Sequence, residues 1–383
     1  MNLDDIRKSF PHLQQGKIYL NHASIGPLSQ PVLERIKNYA DERSSGLINN
    51  YERYLEYSKS AKLKLASILN CSSENIAWID NVSNGLNILA NGLDWKAGDR
   101  IILFEKEFPS NVYPFLNLKS EGVIIDFVKP IDGFIELGDI EKMISPKTKL
   151  LSISFVQFLT GFRANLKAIG EICKKHNILF CVDAIQGAGV FEIDVKNYGI
   201  DFLVGGTQKW FMSLEGLSYL YCAPDLLERI KPKFVGWTSV ANAWNLTNYN
   251  LILKKSAERF QNGTLNTIGV AAFDKSLDLF VDYGIKNISA AVIDNTKLII
   301  CELDKLGLKP ILNSQTDDDL SGIVTFNIAN SEKIFHELES RNIFISLREK
   351  MLRISPHFYN TKEEIEIFFQ ELRRISINKT KSM

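Results

Sequence analysis

Asp183 and Lys209 stand at the ends of two short apolar runs. The first, residues 178–182 (ILFCV), is too short for a helix and predicts a buried strand. Gln186 follows, with Gly187 and Gly189 marking a turn. The second run, residues 201–204, gives way to Gly205, Gly206, Thr207 and Gln208, and then to Lys209. In parallel α/β sheets, ligands collect outside the carboxyl ends of strands, where an acid and a lysine so spaced would both lie. A lysine amine can form a Schiff base with an aldehyde cofactor. A carboxylate opposite can keep a pyridine nitrogen protonated, which makes the ring an electron sink for a substrate carbanion. The pair therefore reads as a pyridoxal 5'-phosphate site, with Gln186 placed to hydrogen-bond the ring hydroxyl.

The elements needed to hold such a site are legible around it. Strands are expected at 76–79, 100–104, 123–128 and 149–155, and helices after 85 and at 166–176. The helix at 166–176 carries an apolar face at Leu166, Ile169, Ile172 and Cys173. Strands and helices alternate from 76 to 204, which implies a parallel sheet with helices on both faces. Residues 80–85 form a polar loop between strand and helix, with Ser83 or Asn84 suited to the N-cap. Such a helix start offers free N–H groups and a favourable dipole to a phosphate. Before this unit come a short helix within 1–17, a brief strand at 18–20, and helices at 31–45 and 51–69. After Lys209 the order changes: a strand at 217–222, a helix at 224–230, then an irregular aromatic segment with Trp237, Trp244 and Tyr249. The last third reads as α+β, with helices at 268–283, 285–306, 332–341 and 362–377 and strands at 322–328, 343–347 and 351–354. The basic end, 378–383, reads as a frayed terminus.

VDAIQ followed by DFLVGGTQKW resembles the class V aminotransferases, a group that includes cysteine desulfurases, kynureninases and isopenicillin-N-epimerase-like proteins. The resemblance runs from about 18 to 367 and rests on several further segments. YLNHASIGPLS is similar to the family's opening motif near the substrate, which implies substrate contacts for Asn21 and His22. NVSNGLN is similar to its phosphate-binding turn, with Val82, Ser83 and Asn84 as cofactor residues and Ser83 where Thr is usual. In EFPSN, Phe108 takes the place of the ring that stacks on the pyridine, as in kynureninase-like and epimerase-like members; offset stacking is worth ~0.5–1.5 kcal/mol beyond area burial. Thr207 and Gln208 join Lys209 as cofactor residues. RFQNGTLN resembles a segment whose Thr reaches a neighbouring subunit's cofactor phosphate, which implies roles for Gly263 and Thr264 and an obligate homodimer with shared active sites. RISPHFYNT resembles the carboxylate-binding motif, which gives Arg353 the substrate carboxylate, a partner suited to its planar fork, with Arg348 beside it. The implied fold is aspartate-aminotransferase-like. A large domain (16–267) holds a mainly parallel seven-stranded sheet sandwiched by helices. A smaller α+β domain is made of 1–15 and 268–383.

Two departures bear on the reaction. The family often has His before the lysine, where this chain has Gln208, which can hydrogen-bond but neither carries a proton nor stacks. A desulfurase needs a thiolate on a loop shortly before the carboxylate-binding Arg, and no Cys occurs after Cys301. The expected function is thus transamination of an amino acid. Epimerisation, racemisation or lyase chemistry is the alternative from the same parts, and a catalytically drifted cofactor binder is the third reading. A nicotinamide enzyme is disfavoured because no GxGxxG follows the first strands.

Composition narrows the setting. Lys plus Arg equals Asp plus Glu at 45 each, so charge gives no case for nucleic acid or an anionic membrane. No apolar stretch approaches the ~20 residues of a membrane span, and MNLDDIRKSF does not read as a signal peptide. The five cysteines form no CxxC, which suggests a reducing cytoplasm, and no metal site is expected.

Overall fold

The computed structural model describes residues 2–312, 314 and 316–377; the basic end at 378–383 lies outside them. The strands in chain order are β1 (Ile18–Tyr19), β2 (Ile76–Ile79), β3 (Arg100–Phe104), β4 (Ile124–Val128), β5 (Thr148–Ser154), β6 (Leu179–Asp183), β7 (Phe202–Gly206), β8 (Ser218–Cys222), β9 (Val324–Phe326), β10 (Ile343–Phe344), β11 (Ser346–Arg348) and β12 (Met351–Ile354). Seven of them form the central sheet in the order β2-β8-β7-β6-β5-β3-β4. Neighbours from β4 to β7 pair in parallel, and β8 runs antiparallel to both β7 and β2. This is the expected α/β architecture. Every residue of β6, β7 and β8 is buried, as it must be in strands covered by helices on both faces.

The strand-end residues sit one step differently from expectation. β6 includes Asp183, which pairs in register with Ser154 of β5 and Val204 of β7. The helix after β2 starts at Val82, earlier than expected, and Asn81 caps it. Asn81 is extended (φ −157°, ψ 163°) and its side chain accepts from the Asn84 N–H. Ser83 and Asn84 are already helical, so neither fills the N-cap position.

The carboxy-terminal layer has a three-stranded antiparallel sheet, β11-β12-β9. The single strand expected at 343–347 divides. β10 pairs in parallel with β1, and β11 turns back on β12. The packing also crosses the domain division expected at 16 and 268. Ile18 and Leu20 join the apolar cluster of Ile299, Val324, Phe326 and Ile354. The helix Thr267–Tyr283 instead sends Val270, Phe273 and Phe280 into the cluster that holds Trp78 and Phe211. The chain entry at β1 is therefore clamped to the small layer, and this brings the following turn, 21–26, over the central sheet. No helix among the described residues is long and apolar enough to cross a membrane.

Candidate active site

The site forms at the carboxyl edge of the central sheet. Asp183, the last residue of β6, is 1% exposed and accepts a 3.0 Å bond from the Ile185 N–H. Lys209 follows β7 by three residues. Its loop is fixed from several sides. The Met212 N–H donates to the Lys209 carbonyl, and the Gly26 N–H donates to the Gln208 carbonyl at 2.7 Å. A Cβ on Gly26 would stand 2.2 Å from the Lys209 carbonyl oxygen, so the amino-terminal turn can lie on the lysine loop only with glycine there. Met212 adopts a left-handed φ of 51°, a strained value for a non-glycine residue that suits an over-determined loop.

Electrostatics at this edge depart from solution values. Burial pushes the Lys209 amine below the usual lysine range; Asp183 opposes this, and Arg353 and Arg348 reinforce it. Burial likewise raises the Asp183 carboxyl, with the Ile185 N–H and Lys209 acting against it. Sequence reasoning missed Glu107, beside Phe108. Its carboxylate accepts from the Ser154 N–H at 2.7 Å. Burial raises it to about 7, the Ser154 bonds oppose the rise, and nearby Asp183 adds to it. Three buried titratable groups with displaced pKa values, brought to one sheet edge by three strands, make this edge the candidate site.

The remaining expected residues divide into those that meet here and those that do not. Phe108 is 45% exposed, and its ring lies 5.7 Å from Lys209 Nζ and 5.4 Å from the ring of Phe158. Arg353 is 2% exposed. It donates to Ser346 Oγ (3.0 Å), the Phe158 carbonyl (2.7 Å) and Ser24 Oγ (2.9 Å), with the rest of its five donors left over. Arg348, which is exposed, also reaches Ser24 Oγ, at 3.2 Å. Ser24 and Phe158 were not picked out from the sequence, although Ser24 lies within YLNHASIG. At the helix start, Asn81 takes the Asn84 N–H and Asp80 takes the Asn84 side-chain amide. Val82 and Ser83 thus keep their N–H groups, and Ser83 Oγ pairs with Ser110 Oγ at 2.7 Å. Gln208 Oε1 and Asn21 Oδ1 are buried without a partner.

Two expectations are corrected by packing. His22 is fully buried: a ring N–H bonds the Ser355 carbonyl and the other nitrogen faces the Tyr359 hydroxyl at 2.7 Å. It is a core histidine with both nitrogens used, and does not face a substrate. The single Thr207 hydroxyl hydrogen is shared between the carbonyls of Leu214 and Leu217, 2.7 and 2.9 Å away, which closes the lysine loop. Gln186, by contrast, donates one amide hydrogen to the Ala23 carbonyl and accepts from the Trp210 indole, which ties the amino-terminal turn to the sheet and leaves its second N–H available. Thr264 is exposed and lines a cavity of about 500 Å³ with Asp80 and Asn84; that cavity includes neither Lys209 nor Asp183. Gly263 has open space around it.

His22 and His357 give a pH signature. The Ser355 and Trp210 carbonyls can only accept, so each ring places one N–H on a carbonyl, and the other nitrogen of His357 accepts from the Phe358 N–H, which requires that ring to be neutral. Burial lowers both pKa values, that of His357 to about 4. A group whose folded pKa is depressed contributes stability above its unfolded value of ~6.5, lost as pH falls toward the folded value. His357 alone should cost about 2 kcal/mol between pH 7 and pH 5. Thermal unfolding at the two pH values checks this: His357→Gln should show a smaller acid loss than wild type, and an equal loss would remove the histidine from the account.

A family model described as Aminotransferase class-V matches residues 18–368. The chain belongs to that family. It is 28% identical to a probable cysteine desulfurase of Methanothermobacter thermautotrophicus, over 98% of each chain. It is 27% identical to the uncharacterized aminotransferase YcbU of Bacillus subtilis, over 98% of this chain and 99% of the other. Its fold matches that of a C-DES mutant solved with glycine covalently linked to its PLP cofactor. The TM-score is 0.87 at 23% identity, over 96% of this chain and 98% of that one.

Pyridoxal phosphate is the cofactor of this class V chain. The residues present fit it. A buried lysine with a depressed pKa suits its aldehyde, and buried Asp183 suits its pyridine nitrogen. An exposed Phe108 ring beside Lys209 offers a stacking face. The orphaned Gln208 Oε1 and the free N–H groups of Val82 and Ser83 offer polar contacts.

Proposed function

We propose that this chain is an aminotransferase acting on an amino acid, with Lys209 as the acid–base residue. The observation that carries the reading is the setting of Lys209. It is a buried amine held below its usual pKa, with the Asp183 charge opposing that shift and the Arg353 charge adding to it. When bound, the cofactor supplies an aldehyde for the amino group and a ring that accepts the electron pair released at the α-carbon.

The chain's own residues do the rest. Arg353 takes the substrate carboxylate with the donors its protein partners leave over. Lys209, in its neutral form, would take the substrate α-proton and hold it at Nζ for return, a role that a pKa near the working pH favours. Asp183 holds a positive charge on the ring nitrogen. Phe108 would offer a stacking face to the ring, and Val82 and Ser83 would hold the phosphate at the helix start. Gln208 adds a polar contact from the lysine loop.

Sulfur transfer is disfavoured by the small layer. In place of a long loop before Arg353, β11 and β12 are joined by Glu349 and Lys350 alone, both left-handed at φ 48° and 62°. That tight turn carries no cysteine. Cys173, Cys181 and Cys222 are buried, and burial pushes the Cys71, Cys173 and Cys181 thiols up to about 12, the opposite of a reactive thiolate. Cys301 is exposed on the helix Ile285–Asp304, away from the β11–β12 turn in sequence.

Two further proposals follow from the same reading. A homodimer is supported by an exposed apolar run, with Phe234 73%, Trp244 67% and Tyr249 96% exposed, which a second copy would cover while bringing its Thr264 to the phosphate. A cytoplasmic location is supported by the cysteines, all unpaired. The deciding experiment adds a panel of amino acids to the purified yellow protein, and follows cofactor absorbance, 2-oxo acid product and sulfide. Stoichiometric 2-oxo acid without sulfide is expected. Sustained sulfide release from L-cysteine that is lost on mutating one cysteine would overturn the reading, and racemised product without oxo acid would favour epimerisation.

A further inference from the structure

The β11–β12 hairpin places two arginines on one face. Ser346 pairs with Arg353 and Arg348 pairs with Met351. Residues two apart on a strand share a face, so Arg348 and Arg353 are diagonal neighbours, a relation within reach of long side chains. Both turn to the same hydroxyl: Ser24 Oγ is 2.9 Å from Arg353 Nη2 and 3.2 Å from Arg348 Nη2. Their other acceptors are Ser346 Oγ and the carbonyls of Phe158 and Leu347. Among the described residues, neither guanidinium has a carboxylate within ion-pair distance.

Other cations drawn out of solvent, the buried Lys62 and the half-buried Lys64 and Arg35, are paired. Lys62 meets Glu258 at 2.6 Å, and Lys64 and Arg35 both meet Asp274. Two unpaired cations sharing one neutral hydroxyl repel each other, and partial burial strengthens the repulsion. One substrate carboxylate answers the charge of Arg353 and leaves Arg348 unanswered. The two-residue turn at Glu349 and Lys350 holds Arg348 at the strand end, so its position is set by backbone rather than by a mobile loop. The Arg348 guanidinium also acts on both Arg353 and Lys209, which places it within electrostatic reach of the reacting groups.

We propose that the substrate is a dicarboxylic amino acid, with its α-carboxylate on Arg353, its side-chain carboxylate on Arg348, and the Ser24 hydroxyl shared between the two arginines. The proposal rests on the aminotransferase reading and narrows its substrate class. Arg348 is then a specificity-determining residue at the exposed end of the site.

The test compares acid with amide. On the holoenzyme, kcat/KM is measured for aspartate against asparagine and for glutamate against glutamine, with O-phosphoserine as a further arm. At least one dicarboxylic amino acid should exceed its amide by about tenfold or more, the scale of one charge-assisted bond. R348Q should collapse that ratio, and R348K, which keeps the charge without the fork, should retain part of it. Calorimetric titration of the holoenzyme with maleate and succinate against propionate gives a readout free of turnover: the diacids should bind at least about tenfold tighter, and R348Q should remove the difference. Amides as good as acids, ratios unchanged in R348Q, or a preference for O-phosphoserine would overturn the proposal. Diacids that bind through Arg348 to a protein inert toward every amino acid would sink the aminotransferase reading and leave the dianion subsite standing. Neutral amino acids that react while diacids gain nothing would do the reverse.

Discussion

Lys209→Ala should lower turnover by roughly 100- to 10,000-fold, the range for losing a positioned acid–base group, without lowering the stability of the protein. The two halves of this expectation have one physical source. The Lys209 amine is buried, and burial dominates its depressed pKa. A buried amine costs folding free energy unless it is paired and hydrogen-bonded. Replacing it with a methyl group removes that cost, so the melting temperature of the cofactor-free variant should equal or exceed that of the cofactor-free wild type. Borohydride treatment of the wild-type holoenzyme should fix the cofactor to the peptide that contains Lys209, and the variant should give no such adduct. Labelling at another lysine would reassign the site, and a large drop in melting temperature would mean that the lysine is structural.

Arg353→Lys should raise KM for the amino acid by more than tenfold and leave the fold intact. Arg353 is almost fully buried, and burial followed by Arg348 lowers its pKa to about 9. It fills a slot between Ser346 Oγ, the Phe158 carbonyl and Ser24 Oγ. Lysine keeps a positive charge but has no planar fork, so it cannot serve these partners and a carboxylate together. Loss of a charge-assisted contact of ~1.5–3 kcal/mol sets the scale. Arg353→Ala is the harsher change, because it leaves buried polar atoms on three elements without their donor, and is expected to destabilise the hairpin against the turn at 21–24. The discriminating measurement is therefore the KM of the lysine variant with its melting temperature alongside. An unchanged KM would remove Arg353 from carboxylate binding, whatever the alanine variant does.

The sequence by itself placed Asp183 and Lys209 at the carboxyl ends of two strands that the structure shows to be parallel neighbours. Asp183 and Lys209 were legible because each ends or follows a short apolar run, and a buried parallel strand announces itself by that run alone. The polar loop between β2 and the next helix was legible for the same reason, although the helix starts at Val82, earlier than its pattern implied, and Phe108 came only from the family segment. The family segments extended this to Arg353. What the sequence could not decide was which way a polar side chain faces once it leaves the strand end. His22 looks like a substrate residue in its motif, but Tyr359 and the Ser355 carbonyl, more than 300 positions later, enclose it and satisfy both nitrogens. Thr207 is likewise claimed by the loop carbonyls of Leu214 and Leu217. Glu107 had no signal of its own, because its displaced pKa arises from burial beside Ser154 and Asp183, which come from two other strands. The meeting of Ser24, Arg348 and Arg353 depends on β1 pairing with β10, so that the first turn of the chain lies against its last hairpin. Hydrophobic runs are local and can be read in order; the partner that satisfies a buried charge or imidazole comes from wherever the fold brings it, and only the tertiary structure decided that.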